Sequence, residues 1–209
     1  INHTMHKYAS TVSVAVAGGS GYAGQELLRI LARHPKTALA AAMTSSPDSA
    51  ARPLPRLARV WDGQLEPLSV DRLAGADAVF LAVPEAASAA LVPGLQARGV
   101  KRIFDLSGAF RLRDLDLRHT LYPATASQPD CLFYGLTELA KDAIASARVV
   151  ACPGCYPTAA LLALQPLAEA GLLNLAHGIV IDAKSGISGA GRTPTDRTHF
   201  SEVHGSVAA

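Results

Sequence analysis

The chain has 209 residues, 49% hydrophobic and 17% charged, enough for one large domain or one domain with part of a second. Its 17 glycines and 13 prolines are near ordinary usage, which excludes collagen-like and low-complexity chains. Nineteen basic against 17 acidic residues leave a net charge of +2, so no broad field steers nucleic acid or an anionic membrane.

The first ten residues, INHTMHKYAS, lack an apolar core, so no secretory signal is expected. Thr11 to Ala17 is short, β-branched and closed by glycines, the pattern of a buried strand. Tyr22 to Arg33 carries apolar residues at helical spacing and ends before His34-Pro35. Leu39 to Met43 reads as a second strand, and Ser45 to Pro55 as a loop. Asp77 to Val83 is a buried strand stopped by Pro84. Glu85 to Arg98 is helical, with Pro93 a candidate kink, and Lys101 to Leu106 is the next strand. A polar loop covers Ser107 to Asp114, and Leu115 to Asp130 has no clear period. Glu138 to Ala147 reads as a helix, Arg148 to Ala151 as a strand, and Pro157 to Ala170 as a helix with proline in its first turn. Gly178 to Ala183 reads as another strand, before a glycine-rich loop from Gly186 to Gly191. Val149 to Ala168 is uncharged, but Pro153, Gly154, Pro157 and Pro166 divide it into strand, turn and helix rather than a membrane span. Alternating apolar strands and helices imply an α/β fold: a Rossmann-like, doubly wound parallel sheet over residues 10–150, with a second domain beginning over 151–209.

Between the first strand and first helix stands GGSGYAG, with Gly18, Gly21 and Gly24 three residues apart. Glycines in this context permit a tight turn and close backbone approach, and the helix N-terminus faces a pyrophosphate. Gly18, Ser20, Gly21, Tyr22, Ala23 and Gly24 are therefore candidate dinucleotide contacts, against a plain βα turn. An NAD enzyme usually ends its second strand on Asp or Glu. Here Thr44, Ser45 and Ser46 follow Met43, with Arg52 and Arg56 beyond, so a 2′-phosphate and hence NADP(H) is favoured, with Asp48 dissenting.

The three cysteines, Cys131, Cys152 and Cys155, are too few for a disulfide scaffold and fit a reducing compartment, the cytoplasm. Cys155 precedes a helix, where the macrodipole and free N–H groups favour a thiolate nucleophile. It also reads as a small buried apolar residue. Cys152 and Cys155 form CPGC, which suits a redox dithiol or half a zinc site. His177, His199 and His204 follow no zinc spacing, so no metal is expected.

Four stretches together resemble the N-acetyl-γ-glutamyl-phosphate reductases of arginine biosynthesis: GGSGYAG from Gly18, FDLSGAFR from Phe104, PGCYPTA from Pro153 and SGISGAGR from Ser185. Tyr134-Gly135-Leu136 with Glu138 fits a family turn, and PGCYPTA is the most specific stretch. The resemblance implies an NADP domain, an α+β substrate domain beginning near Cys155, and assembly as a homo-oligomer. It implies reductive dephosphorylation of an acyl phosphate to a semialdehyde, with Cys155 as nucleophile and inorganic phosphate as product. Ser185 and Gly186 would lie near the nicotinamide, Pro84 near the cofactor, and Ser107, Arg111, Gly189 and Arg192 near the substrate. Pro84-Glu85 departs from the family's Pro-His. The family's acid/base histidine, in a His-Arg-His segment, would follow residue 209; His199 and His204 are not its equivalents. The 209 residues are accordingly expected to be the N-terminal part of a longer protein. Competing readings are an aspartate-semialdehyde dehydrogenase or carrier-bound aminoadipyl-phosphate reductase, a non-catalytic NADP-binding sensor, and a CPGC dithiol oxidoreductase.

Overall fold

A computed structural model describes residues 11–125, 127–196 and 198–204. The reading of the first ten residues lies outside these. The chain divides into two compact units, Ile1–Cys152 and Pro153–Ala209.

In the first unit β1 is Val12–Ala17, α1 Tyr22–Arg33, β2 Thr37–Met43, β3 Arg52–Pro53 and β4 Gln64–Leu65. Then come α2 Val70–Ala74, β5 Ala78–Leu81, α3 Glu85–Ala97, β6 Arg102–Asp105 and α4 Leu115–Leu121. The unit closes with β7 Leu132–Tyr134, α5 Thr137–Ser146 and β8 Val149–Ala151. Six strands form a parallel sheet in the order β2-β1-β5-β6-β8-β7, and β3 and β4 form an antiparallel pair. Parallel strands need both faces covered, and the alternation along β1 supplies this. Ala15 and Ala17 pack with Leu81, Leu91, Val92, Leu95 and Ile103 on one face. Val14 and Val16 pack with Leu28, Leu31, Leu57 and Leu65 on the other. Each fully buried leucine contributes about 1.5–3 kcal/mol of burial free energy.

The helix from Glu85 runs through Pro93 without a break in its assignment. The loop expected over Ser45 to Pro55 contains the short β3, which pairs with β4. The region without a clear period contains α4, capped by the Asp114 carboxylate, which accepts from the Leu117 N–H at 2.8 Å.

In the second unit α6 runs Cys155–Glu169 and α7 Phe200–Val203, with 3-10 turns at Leu175–His177 and Ile187–Ala190. The expected helix begins two residues earlier than Pro157: Cys155, Tyr156 and Pro157 are its first three residues, where a proline removes no intrahelical bond. The strand expected over Gly178 to Ala183 is not formed. Its Ile179, Val180 and Ile181 are 45%, 93% and 57% exposed, and no segment among the described residues gives them a ladder to join. A β-branched run needs such a ladder, because an isolated strand leaves its backbone groups unpaired. Among the described residues no helix is long and apolar enough to cross a membrane.

Candidate active site

The strand order changes direction between β1 and β5, the position where open α/β sheets form a ligand crevice. The glycine loop leaves β1 there. Gly18 has φ +83°, and a Cβ on it would overlap the Ala82 carbonyl, whose carbon would lie 2.6 Å away. A Cβ on Gly24 would overlap the Gly18 carbonyl and lie 2.8 Å from its carbon. Loop, helix and neighbouring strand therefore pack at a separation that only glycine permits. The Gly19 N–H donates to the Met43 carbonyl at 2.8 Å, and the buried Gln25 Nε2 donates to the Ser20 carbonyl at 3.1 Å. No side chain caps α1 at Gly21, and its first turn, with Tyr22 and Ala23, carries no acid. An uncapped, acid-free helix start behind a tight glycine turn fits the pyrophosphate of a dinucleotide.

Beyond β2, Thr44 is buried, and its hydroxyl donates to the Ser46 carbonyl at 2.8 Å. It holds the turn, while Ser45 is exposed and Ser46 half-buried. The Thr44 N–H donates to the Glu66 carbonyl at 3.0 Å, so β4 lies along the end of β2, with Arg52 paired to Leu65 one strand further. Arg52 and Arg56 are exposed and form no ion pair among the described residues. Pro84 precedes α3 just after Ala82, the residue against which Gly18 packs, and Glu85 opens that helix exposed.

At the end of β6, Asp105 is fully buried. Its carboxylate accepts from the Ser88 hydroxyl at 2.7 Å, the Ser107 N–H at 3.0 Å and the Ser107 hydroxyl at 2.9 Å. Burial pushes its pKa up, against those hydrogen bonds and the Arg111 charge. Ser107 is itself buried, and its oxygen accepts from the Ala109 N–H at 3.1 Å. Arg111 is half-buried and donates from Nε to the Cys152 carbonyl and from Nη2 to the Leu106 carbonyl, both at 2.8 Å. Ser107 and Arg111, expected near substrate, are thus engaged in fixing the strand ends. Ser88 and Asp105 were not legible as parts of this network; the one signal was a carboxylate closing an apolar strand and followed two residues later by serine.

Cys152 ends this unit, and its N–H donates to the Asp105 carbonyl at 2.8 Å. Burial first, then the Asp105 charge, push the Cys152 thiol up to about 11, with Arg111 opposing them. It therefore stays protonated at neutral pH, which opposes a CPGC dithiol cycle. All three cysteines are free thiols, and Cys131 and Cys155 are exposed. At pH 8, iodoacetamide should modify Cys131 and Cys155 but spare Cys152, whose labelling should rise only as pH approaches 11. Peptide mass mapping reads this directly. Cys152→Ser should keep turnover within about threefold of wild type, because a protonated thiol carries no nucleophilic role.

In the second unit Cys155 is exposed and is the first residue of α6, a 15-residue helix with no side-chain cap and no acid in its first turn. The N–H groups of Cys155 and Tyr156 have no partner among the described residues, and Pro157 has none to give. The Thr158 hydroxyl donates to the Gly154 carbonyl at 2.8 Å and fixes the turn. An exposed thiol beside two unpartnered amides can attack a carbonyl and hold the developing oxyanion. Ser185, Gly186, Gly189 and Arg192 lie in an exposed loop of the same unit, compacted by the Gly189 N–H donating to the Gly186 carbonyl at 3.0 Å. The Ser185 hydroxyl donates to the Gly186 carbonyl at 3.1 Å. His199 accepts from the Ser201 N–H at the start of α7, a capping contact.

Residues 13–147 match a family model described as semialdehyde dehydrogenase, NAD binding domain. Residues 155–209 match the semialdehyde dehydrogenase dimerisation domain. A Symbiobacterium thermophilum protein named N-acetyl-gamma-glutamyl-phosphate reductase is 42% identical over 204 residues, covering 95% of this chain and 58% of its own length. A Brevibacillus brevis protein of the same name is 41% identical over 204 residues with the same coverage. The chain thus spans somewhat over half the length of the curated relatives it matches. Among solved structures, aspartate semialdehyde dehydrogenase II of Vibrio cholerae aligns with a TM-score of 0.59 at 16% identity, over 88% of this chain and 49% of that one. The Francisella tularensis aspartate semialdehyde dehydrogenase aligns at 0.55 and 16%, over 77% and 42%. Those two likenesses speak for the fold.

Proposed function

The chain belongs to the semialdehyde dehydrogenase family, and from that premise we propose that the protein reduces N-acetyl-γ-glutamyl phosphate to N-acetylglutamate γ-semialdehyde, releasing phosphate. The observation that carries the reading is Cys155, exposed at an uncapped helix start beside two unpartnered amides. The two curated relatives, both named N-acetyl-gamma-glutamyl-phosphate reductase, support the substrate.

In this account the Cys155 thiolate attacks the acyl carbon, the bond from that carbon to the phosphate oxygen breaks, and phosphate leaves. A thioester on Cys155 remains. The Cys155 and Tyr156 amides hold the negative charge that develops on the acyl oxygen. When bound, NADPH supplies the hydride that converts the thioester to the thiohemiacetal of the aldehyde. The carbon–sulfur bond then breaks, the aldehyde departs and the Cys155 thiolate is restored. Gly18 to Gly24 and the start of α1 would hold the pyrophosphate, and Pro84 would flank the cofactor. Ser185 and Gly186 would border the nicotinamide, and Gly189 and Arg192 the substrate.

NADP rather than NAD is supported by Ser45 and Ser46 at the end of β2 and by the exposed Arg52, on β3, and Arg56, just after it, which form no ion pair among the described residues. No carboxylate ends that strand to meet a ribose hydroxyl. Arg52→Ser with Arg56→Ser should raise KM for NADP about tenfold or more, the loss of a charge-assisted phosphate contact, and leave KM for NAD unchanged. Steady-state kinetics with both cofactors check it. Free thiols in a family of this chemistry support the cytoplasm, and the match to a dimerisation domain supports a homo-oligomer.

The reading is tested in the reverse direction. Full-length protein is given N-acetylglutamate γ-semialdehyde and NADP, and NADPH absorbance is followed with and without phosphate. A phosphate-dependent rise supports it. No rise from protein that binds NADP would contradict it and favour aspartate semialdehyde, tested next, or a sensor role.

A further inference from the structure

The segment from Ala82 to Ser88 leaves β5 beside the glycine loop and becomes the first turn of α3. Its near end is fixed by backbone. The Ala82 N–H donates to the Ala17 carbonyl at 2.9 Å, and the Ala82 carbonyl lies against Gly18. Its far end starts a helix with no side-chain cap, because Pro84 stands at the N-cap. A first turn without a cap frays unless another group holds it. Ser88 is that group. Its N–H donates to the Pro84 carbonyl at 3.0 Å, and its hydroxyl donates to Asp105 Oδ1 at 2.7 Å.

Ser88 and Asp105 are both fully buried. Asp105 is the last residue of β6 and pairs in register with Leu81, the residue before Ala82. The carboxylate therefore braces the chain across the exit of β5, at the carboxyl end of the strands, where open α/β sheets hold their ligands. Among the described residues its donors are two hydroxyls and one N–H, and it forms no ion pair. Burying a carboxylate in this way is costly, and an apolar contact would join helix to sheet at less cost. What the carboxylate adds is direction. Oδ1 accepts from both the Ser88 hydroxyl and the Ser107 N–H, which fixes two segments to one point with a geometry that apolar packing does not specify.

We propose that Ser88 and Asp105 are positioning residues for the cofactor: the hydrogen bond between them sets where Pro84 and the start of α3 stand beside the glycine loop, and so sets the affinity for the dinucleotide. This role rests on the reading of that crevice as the dinucleotide site. Fully buried, neither side chain reaches the cofactor, and both act through Pro84.

The test is the NADPH Kd of the full-length protein by fluorescence titration, with urea unfolding of each variant beside it. Ser88→Ala removes the donor and should raise the Kd about tenfold, the scale of a lost hydrogen bond to a charged group. Ser13→Ala is the control for plain loss of stability. The Ser13 hydroxyl donates to the Asp77 carboxylate at the same 2.7 Å, but at the start of β1 and just before β5, the opposite end of the sheet from the crevice. That variant should lower urea stability and leave the Kd within about twofold of wild type. Two variants of Asp105 separate hydrogen bond from charge. Asp105→Asn, with its oxygen at Oδ1, still accepts from Ser88 and from the Ser107 N–H, and should keep the Kd within about threefold. Asp105→Ala should raise it as Ser88→Ala does. If one of these two alanine variants does not fold, the other carries the test. A Kd unmoved by Ser88→Ala, a rise as large in Ser13→Ala, or equal rises for Asp105→Asn and Asp105→Ala would overturn the proposal. Wild-type protein that does not bind NADPH would overturn the dinucleotide reading, and the proposal with it.

Discussion

Cys155→Ser should lower kcat by about a thousandfold or more while leaving NADPH affinity within about twofold of wild type. The serine hydroxyl keeps the position at the head of α6 and fills nearly the same space. It is a weak nucleophile without an adjacent base to take its proton, whereas sulfur is intrinsically far more nucleophilic. The dinucleotide loop lies in the other compact unit. Fluorescence titration with NADPH and a steady-state assay on the same preparation separate the two effects. Loss of both binding and turnover would mean that Cys155 is structural. Retention of more than about a tenth of kcat would remove it from the chemistry, since covalent catalysis by a missing nucleophile cannot be partly preserved.

Gly18→Ala is the second large effect. Its φ of +83° is unfavourable for an L-residue, and the new methyl would overlap the Ala82 carbonyl, a backbone group that cannot swing aside. Strain and overlap together should cost about 2–5 kcal/mol of stability. Because the same displacement opens the turn that positions α1, NADPH affinity should fall by about a hundredfold even where the protein still folds. Urea unfolding and the NADPH titration measure the two. Gly21→Ala is the control: its Cβ would meet only the Gly18 carbonyl, at an ordinary 3.6 Å. Equal effects at the two positions would show that the loss does not come from close packing.

The sheet was legible where the chain carries its own pattern. VSVAVA alternates valine and alanine so that each face of β1 receives one set, and glycines close it. The glycine loop was legible because backbone closeness demands a residue with no Cβ. β7 was not, since three half-buried residues at a sheet edge are too few to show a period. The run from Gly178 read as a strand by composition, but strand formation depends on a partner ladder that composition does not report. Side-chain engagement was the least legible. Arg111 reads as an anion ligand by its chemistry, and its sequence does not show that two backbone carbonyls take two of its five N–H donors. Arg118 lies in the stretch without a clear period, where nothing marks it for burial, and the fold buries it. Cys152 and Cys155 are three residues apart, one expected to be buried at a strand end and the other to head a helix. Their difference arises because one lies against Asp105 inside the first unit and the other heads an exposed helix.

The most direct measurement is intact mass spectrometry of the full-length protein quenched in acid after mixing with N-acetyl-γ-glutamyl phosphate in the absence of NADPH. The account predicts a mass increase of one N-acetylglutamyl group per chain, located to the peptide carrying Cys155, absent in Cys155→Ser and discharged by added NADPH. A protein that turns over substrate yet shows no adduct at Cys155, or carries the adduct on Cys131 or Cys152, would contradict it.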